Sequence, residues 1–362
     1  MIVKNESRVI ERCLRSVKPL IDYWVIVDTG SSDGTQEIIR EFMKDIPGEL
    51  HEEVWVNFGH NRNQALDFAR DRGDYFLFMD ADEELIIAPS FTLPHLDKDY
   101  YFICSEYSGT RYKRIQLIKN SKEWIWRGAV HEVLVPGPGT SFETLDGVVN
   151  CVRFEGCVSQ DPKAFLKDAQ VFEEQLIRNP FDTRAAFYLA QSYRDAGEEE
   201  KAALAYQRRI ALGGWDEEIF WSKYQLAHLE HRMGKGLEEV LENYYKAWIE
   251  RPSRLEPLYY IVSLCRQSSQ NDRAFTLSKL ALERIEREGV PNERLFVESW
   301  IYDYGMLFEY SIAAYWVGKY KEAEQATLKL LNMPDLPPNF LDQAKKNLLF
   351  IQKKLAPLKD AA

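Results

Sequence analysis

Near Asp161 the hydrophobic pattern of this chain changes period, and that switch divides it into two parts that must fold by different rules. Upstream, short continuous apolar runs alternate with stretches of helical spacing. Ile2-Val3 opens as a strand, and Arg8 to Val17 reads as a helix with Ile10, Leu14 and Val17 on one side. Trp24-Val25-Ile26-Val27 reads as a buried parallel strand ending in Asp28. Ser31-Ser32-Asp33-Gly34-Thr35 has turn and N-cap chemistry, which predicts a helix over Gln36 to Met43. A strand over Glu52 to Val56 and a helix over Asn61 to Arg70 follow, and then the strongest buried strand, Tyr75-Phe76-Leu77-Phe78-Met79. This β-α-β-α-β order predicts an open α/β sheet with polar residues at its strand C-termini, where such sheets bind ligands.

Downstream the helical period persists to the end, and small residues recur in register. Ala186, Leu189, Ala190, Tyr193 and Gly197 are followed by Ala202 and Tyr206. Leu226, Ala227 and Gly234 lead to Val240, Tyr244, Ala247 and Pro252 in the same order. Leu258, Ile261 and Val262, then Ala274, Ser278 and Ala281, make a weaker copy, and Tyr310, Ser311, Ala314 and Gly318, then Ala323 and Leu330, another. Small residues let two helices approach closely, and the glycine turns the chain between them. The pattern resembles tetratricopeptide repeats, made irregular by insertions such as Glu283 to Glu298. An unrelated helical bundle is the plain alternative.

Composition narrows the function classes. A hydrophobic share of 45% in 362 residues supports real cores, and no uncharged run approaches the ~20 residues of a membrane span. The sequence does not open with a basic region and an apolar stretch, so a cytoplasmic protein is expected. Its five cysteines form no CxxC pair, which favours reduced thiols over a disulfide framework or a zinc knuckle. A net charge of −11 without a basic stripe argues against a nucleic-acid partner.

Chemistry concentrates upstream. Asp80-Ala81-Asp82 follows the strongest strand, and paired carboxylates there suit a hard divalent cation holding a diphosphate. A solvated acidic turn is the competing reading. Trp124-Ile125-Trp126-Arg127-Gly128-Ala129-Val130-His131-Glu132 is a second candidate segment. Its Glu132 suits a general base, with Glu83 and Glu84 next, while His131 suits a metal ligand, a donor to a departing phosphate, or a packing histidine. Adjacent side chains on an extended segment face opposite ways, so the two roles are exchangeable. Trp124 and Trp126 suit either a sugar-stacking surface or the core. Arg111 and Arg114 suit either diphosphate binding or a solvated face.

Met1-Ile2-Val3-Lys4-Asn5-Glu6, Val27 to Thr35, Asn61-Arg62-Asn63 and Asp80-Ala81-Asp82 occur in the order seen in family 2 glycosyltransferases. The resemblance covers roughly residues 1 to 135 and is strongest to the branch with a tetratricopeptide tail, which includes S-glycosyltransferases acting on bacteriocin peptides. It implies a Rossmann-like α/β GT-A domain, expected over residues 1–158, followed by an all-α tetratricopeptide-like domain over 159–356. By that resemblance the family's first strand is expected to begin several residues before Met1, so that the sequence opens inside it or its start is shifted. The resemblance also implies a nucleotide-sugar donor, commonly UDP-linked, Mn²⁺ or Mg²⁺, and inversion at the anomeric carbon. The expected activity is hexosyl or N-acetylhexosaminyl transfer to a peptide, protein or glycan acceptor. Asn5 and Glu6 are implied near the nucleoside, Asp28 and Asp33 at the base and ribose, and Arg62 at the nucleotide. Taken with the positions above, Asp80, Asp82 and His131 are the expected metal set, with Asp80 and Arg114 expected beside the diphosphate. Asp33 has a simpler alternative as a helix cap. The repeat domain is expected to engage the acceptor or form a homodimer. A tetratricopeptide scaffold with a vestigial, nucleotide-binding head is the alternative function.

Overall fold

The computed structural model describes residues 1–120, 123–157 and 161–359, which divide into two compact units, Met1–Glu198 and Glu199–Ala362. The domain boundary expected between residues 158 and 159 lies outside the described residues.

The first unit begins with β1 (Ile2–Val3), α1 (Ile10–Val17), β2 (Trp24–Asp28), α2 (Thr35–Phe42), β3 (Gly48–Glu52) and α3 (Phe58–Ala69). β2 lies between β1 and β3 in a parallel sheet, with Val3 opposite Asp28 and Trp24 opposite Gly48. A side chain at 48 is impossible there, since its Cβ would fall 2.2 Å from the Trp24 ring. Val3, Ile10, Leu14, Ile26, Ile39 and Met43 form the core beside this sheet.

Next come β4 (Tyr75–Leu77), β5 (Glu83–Ile87), β6 (Tyr100–Tyr107), β7 (Thr110–Lys119), β8 (Trp126–Arg127), β9 (Val133–Leu134) and β10 (Phe142–Val152). A second sheet runs β7-β6-β10-β5, β4 lies antiparallel on β7, and β8 pairs with β9. The unit ends with α4 (Ala164–Arg178) and α5 (Thr183–Asp195), packed against each other.

Two strand expectations are corrected. β3 ends at Glu52, and Val54 to Val56 form an exposed loop instead of a strand. The Asn61 side chain takes the Val54 carbonyl and the Val56 N–H, so a side chain satisfies the backbone groups a neighbouring strand would have used. The strand expected over Tyr75–Met79 is Tyr75–Leu77, paired with β7. Phe78 and Met79 then point into separate cores, Phe78 with Leu66, Phe102 and Ile118, and Met79 with Val17, Leu85 and Ile103. The chain turns at Asp80, whose N–H donates to Glu83 Oε2 (3.0 Å) while its carbonyl accepts from Cys13 Sγ (3.2 Å).

The second unit is helical: α6 (Glu199–Leu212), α7 (Asp216–Arg232), α8 (Leu237–Glu250), α9 (Glu256–Gln267), α10 (Asn271–Glu288), α11 (Met306–Trp316), α12 (Tyr320–Leu331) and α13 (Pro338–Lys359), each packed on the next. The small residues of the repeat pattern, Ala202, Ala227, Ala247, Ala274, Ala281, Ala314 and Ala323, are fully buried. Gly197, Gly234 and Gly318 all have φ near +78° (77°, 79° and 78°) just past helix ends. The N–H that follows each reaches back to a carbonyl five residues earlier: Glu198 to Tyr193, Lys235 to Glu230 and Lys319 to Ala314. The weaker copy makes the same cap with Ser269 at φ +64°, where Gln270 N–H donates to Cys265 O at 2.8 Å. Serine in the glycine position is why that copy reads faintly. Among the described residues, no helix is long and apolar enough to cross a membrane.

Candidate active site

The strand end at Asp80 and the start of α3 converge through one cation. Asn61 is fully buried and anchors the loop before it, while Asn63 clamps Trp126, donating to its carbonyl (3.0 Å) and accepting from its N–H (2.8 Å). Arg62 lies between these anchors, its guanidinium 5.0 Å over the Trp126 ring. Its Nε donates to Glu132 Oε1 and its Nη2 to Asp80 Oδ1. Only 11% of the Arg62 side chain and 9% of that of Glu132 are exposed, so the pairing forms largely out of water.

Arg114 on β7 reaches the other side of Asp80, 3.5 Å from Oδ2, and pairs with both oxygens of buried Glu83 at 2.9 and 3.1 Å. Burial raises the Asp80 carboxyl, but Arg62 and Arg114 outweigh it and bring it down to about 2. Burial pushes Glu83 upward, against the pull of Arg114. Asp80 is therefore an ionised carboxylate held by two arginines.

Asp82 is half-buried, and its Oδ2 accepts from Gly156 N–H at 3.0 Å. Glu6 sits alongside, its Oε1 accepting from Cys157 N–H at 3.1 Å. Burial and the nearby Asp82, Asp33 and Asp80 charges push Glu6 up to about 7. Asn5 adopts φ +55°, donates its N–H to Ser31 Oγ and accepts from Ser32 N–H, both at 2.8 Å, which fixes the turn after β2. Asp33 accepts from Ser7 N–H, Thr35 N–H and the Thr35 hydroxyl. Burial raises its carboxyl, yet these bonds bring it down to about 2. Asp28 is 1% exposed, and its Oδ1 accepts from Gly30, Ser31 and Gln36. Burial opposes its ionisation, these donors overcome that, and its Oδ2 is left buried with no partner.

His131 faces elsewhere. Its ring stacks on Tyr188 at 4.4 Å, and its Nε2 lies 3.6 Å from Asp168 Oδ2. Among the described residues, no three His, Cys, Asp or Glu side chains converge to hold an ion by themselves, so Asp80, Asp82 and His131 do not gather as one set. Trp124 is core, with Nε1 donating to Lys119 O, whereas Trp126 is covered by Arg62. Arg111 pairs with Glu106.

Residues 1–90 match the Glycosyl transferase family 2 profile. That match covers the segment holding Asp28, Arg62, Asp80 and Asp82 and stops short of Arg114 and Glu132. A TPR repeat-containing protein of Synechococcus elongatus is 42% identical over 87 residues, 24% of this chain and 20% of that protein. The SPbeta prophage-derived glycosyltransferase SunS of Bacillus subtilis is 37% identical over 83 residues, 23% of this chain and 19% of SunS. The alignments thus span about a fifth of these relatives. Among solved structures, a tetratricopeptide repeat protein from Parabacteroides merdae has a TM-score of 0.40 at 18% identity, covering 54% of this chain and 69% of that one.

In the first unit the sequence pointed to Asp28, Arg62, Asp80, Asp82, Arg114 and Glu132, and Arg62 lies bonded to Asp80 and Glu132 with Arg114 on the other side of Asp80. It did not show the pairing of half-buried Arg114 with buried Glu83, the main-chain donors at Gly156 and Cys157, or the contacts of α4 and α5 with His131. The main-chain donors leave no side-chain signature. The asparagines flanking Arg62 were visible, and a polar pair around an arginine at a helix start is the signal for a residue held in place.

Proposed function

We propose that the N-terminal unit is an inverting, metal-dependent glycosyltransferase that takes a sugar from a nucleotide-diphosphate donor, UDP-linked, and passes it to a peptide, protein or glycan. The observation that carries this reading is the Arg62 bridge, one buried cation joining strand-end Asp80 to loop Glu132. The partnerless Asp28 Oδ2 supports a nucleoside beside it, since a ligand N–H or O–H would complete that acceptor. The all-oxygen donor set fits Mn²⁺ or Mg²⁺, which one or two carboxylates and phosphate oxygens suffice to hold; Asp82 would be the main protein ligand, with Asp80 alongside. Such an ion, when bound, neutralises charge on the diphosphate.

In the transfer itself, the acceptor heteroatom bonds to the anomeric carbon on the face opposite the diphosphate. Its proton passes to Glu132, and the bond to the diphosphate breaks with its electron pair leaving on the phosphate oxygen. Arg114 and Arg62 offset the charge that develops there. Helical repeats offer an extended surface for an acceptor or a second copy of the chain.

The test is a panel of nucleotide sugars with Mn²⁺ or Mg²⁺, followed by melting temperature and by release of free sugar and nucleoside diphosphate. The expected result is a donor-specific rise in melting temperature and slow hydrolysis, both lost in Asp82→Asn and in chelator. A chain that binds nucleotide but never releases sugar is a scaffold with a nucleotide-binding head, and full activity in chelator refutes the metal.

A further inference from the structure

The loop carrying Glu132 has little regular structure of its own: β8 and β9 are two residues each, and His131 adopts φ +46°, a left-handed conformation unfavourable for a side chain other than glycine. Such a residue persists only where its surroundings over-determine it. Here the surroundings are the α4–α5 hairpin, which belongs to the same compact unit. Arg184 Nη2 donates to the His131 carbonyl at 2.9 Å, and its guanidinium lies 4.7 Å over the Tyr188 ring. Tyr188 stacks on the His131 ring within 18° of parallel, with Phe172 behind at 5.8 Å from the imidazole. Asp168 faces Nε2. His131 is therefore contacted on one ring face, at its Nε2 edge and at its main-chain carbonyl, although its side chain is 42% exposed.

The next residue is Glu132, whose carboxylate accepts from Arg62. On its other side the loop is fastened by Phe58 N–H donating to Ala129 O at 3.2 Å. With both ends tied, the direction of the Glu132 side chain follows from where His131 is held.

We propose that Arg184 and Tyr188 are positioning residues of the active site, gripping His131 so that the Glu132 carboxylate is presented to Arg62 and to the acceptor. This rests on the reading of Glu132 as the base. The α4–α5 hairpin, although it follows the switch to helical period, then serves to hold the loop that carries Glu132.

The test uses the full chain with Arg184→Ala, Tyr188→Leu and Tyr188→Phe, and the nucleotide sugar of the panel that the wild type hydrolyses. Arg184→Ala and Tyr188→Leu should lower kcat about 10- to 100-fold, with KM for the donor within about twofold, as displacement of a reacting group does. Tyr188→Phe, which keeps the stack, should recover most of the rate. In a Glu132→Gln background, Arg184→Ala should cost nothing further, because residues acting through one another are not additive. Hydrogen exchange should speed up at residues 126–134 in both disruptive variants while β6 and β7 stay protected. Independent, additive losses, or unchanged exchange at 126–134, overturn the proposal. A wild type that hydrolyses no donor refutes the glycosyl-transfer reading instead, and the exchange result then decides the clamp alone.

Discussion

Replacing Arg62 with methionine tests the centre of the site most directly. Methionine keeps much of the side-chain volume, so the packing over Trp126 is largely preserved and the change is one of charge. Arg62 gives one charged hydrogen bond to Asp80 and one to Glu132, and its loss strands two carboxylates. Breaking a buried ion pair by removing one partner costs about 3–5 kcal/mol. Asp80 keeps Arg114 at 3.5 Å and is 29% exposed, which relieves part of that cost and leaves about 2–4 kcal/mol, most of it at Glu132. For a unit of this size each kcal/mol moves the midpoint by about 2–4 °C, so the melt should fall by about 4–16 °C. Circular dichroism melts of the full chain measure this. Adding Glu132→Gln should raise the melt of Arg62→Met again, since the stranded charge is gone. A melt within about 1 °C of wild type, or a double variant less stable than the single one, refutes the claim that Arg62 holds the two carboxylates together.

Glu132→Gln should cut transfer or donor hydrolysis about 10²–10⁴-fold with donor affinity little changed, measured by steady-state kinetics beside calorimetric titration of the donor; an equal loss of affinity would make the segment part of the nucleotide site. Ser269→Gly should stabilise the second unit by about 0.5–1 kcal/mol in urea titration, since φ +64° suits glycine and the Gln270-to-Cys265 bond is retained; a destabilised variant would contradict the cap. Glu6, raised to about 7 from an ordinary 4.5, binds its proton more tightly in the folded chain. Stability should therefore fall as pH rises from about 4.5 to 7, and Glu6→Gln should flatten that fall in metal-free denaturant titrations; an unchanged slope would place its cause elsewhere.

The α/β alternation was legible because buried parallel strands leave continuous apolar runs and end in polar residues, as Trp24–Asp28 does. The strand at Tyr75 was legible as a strand, but its partner was not, since an apolar run does not say which neighbour it bonds. Arg62 and Glu132 were each found by motif, while their pairing across the fold was invisible until α3 and β8 were brought together. Asn5 shows the reverse case. Its place in a motif suggested ligand contact, and in the structure both its N–H and its Oδ1 are spent on the Ser31-Ser32 turn. The weaker repeat was obscured because the cap depends on backbone conformation, which Ser269 adopts without announcing it in the sequence.

At the start of α3, Gly59 meets the loop of the second chemical segment without any side chain between them: a Cβ there would fall 2.3 Å from the Gly128 carbonyl oxygen. Backbone is thus seated directly on backbone, and a seat of that kind transmits displacement instead of absorbing it. The helix bearing Arg62 and the loop bearing Glu132 are therefore registered against each other by main chain alone, whereas Asp82 and Glu6 are held from elsewhere, by the amides of Gly156 and Cys157.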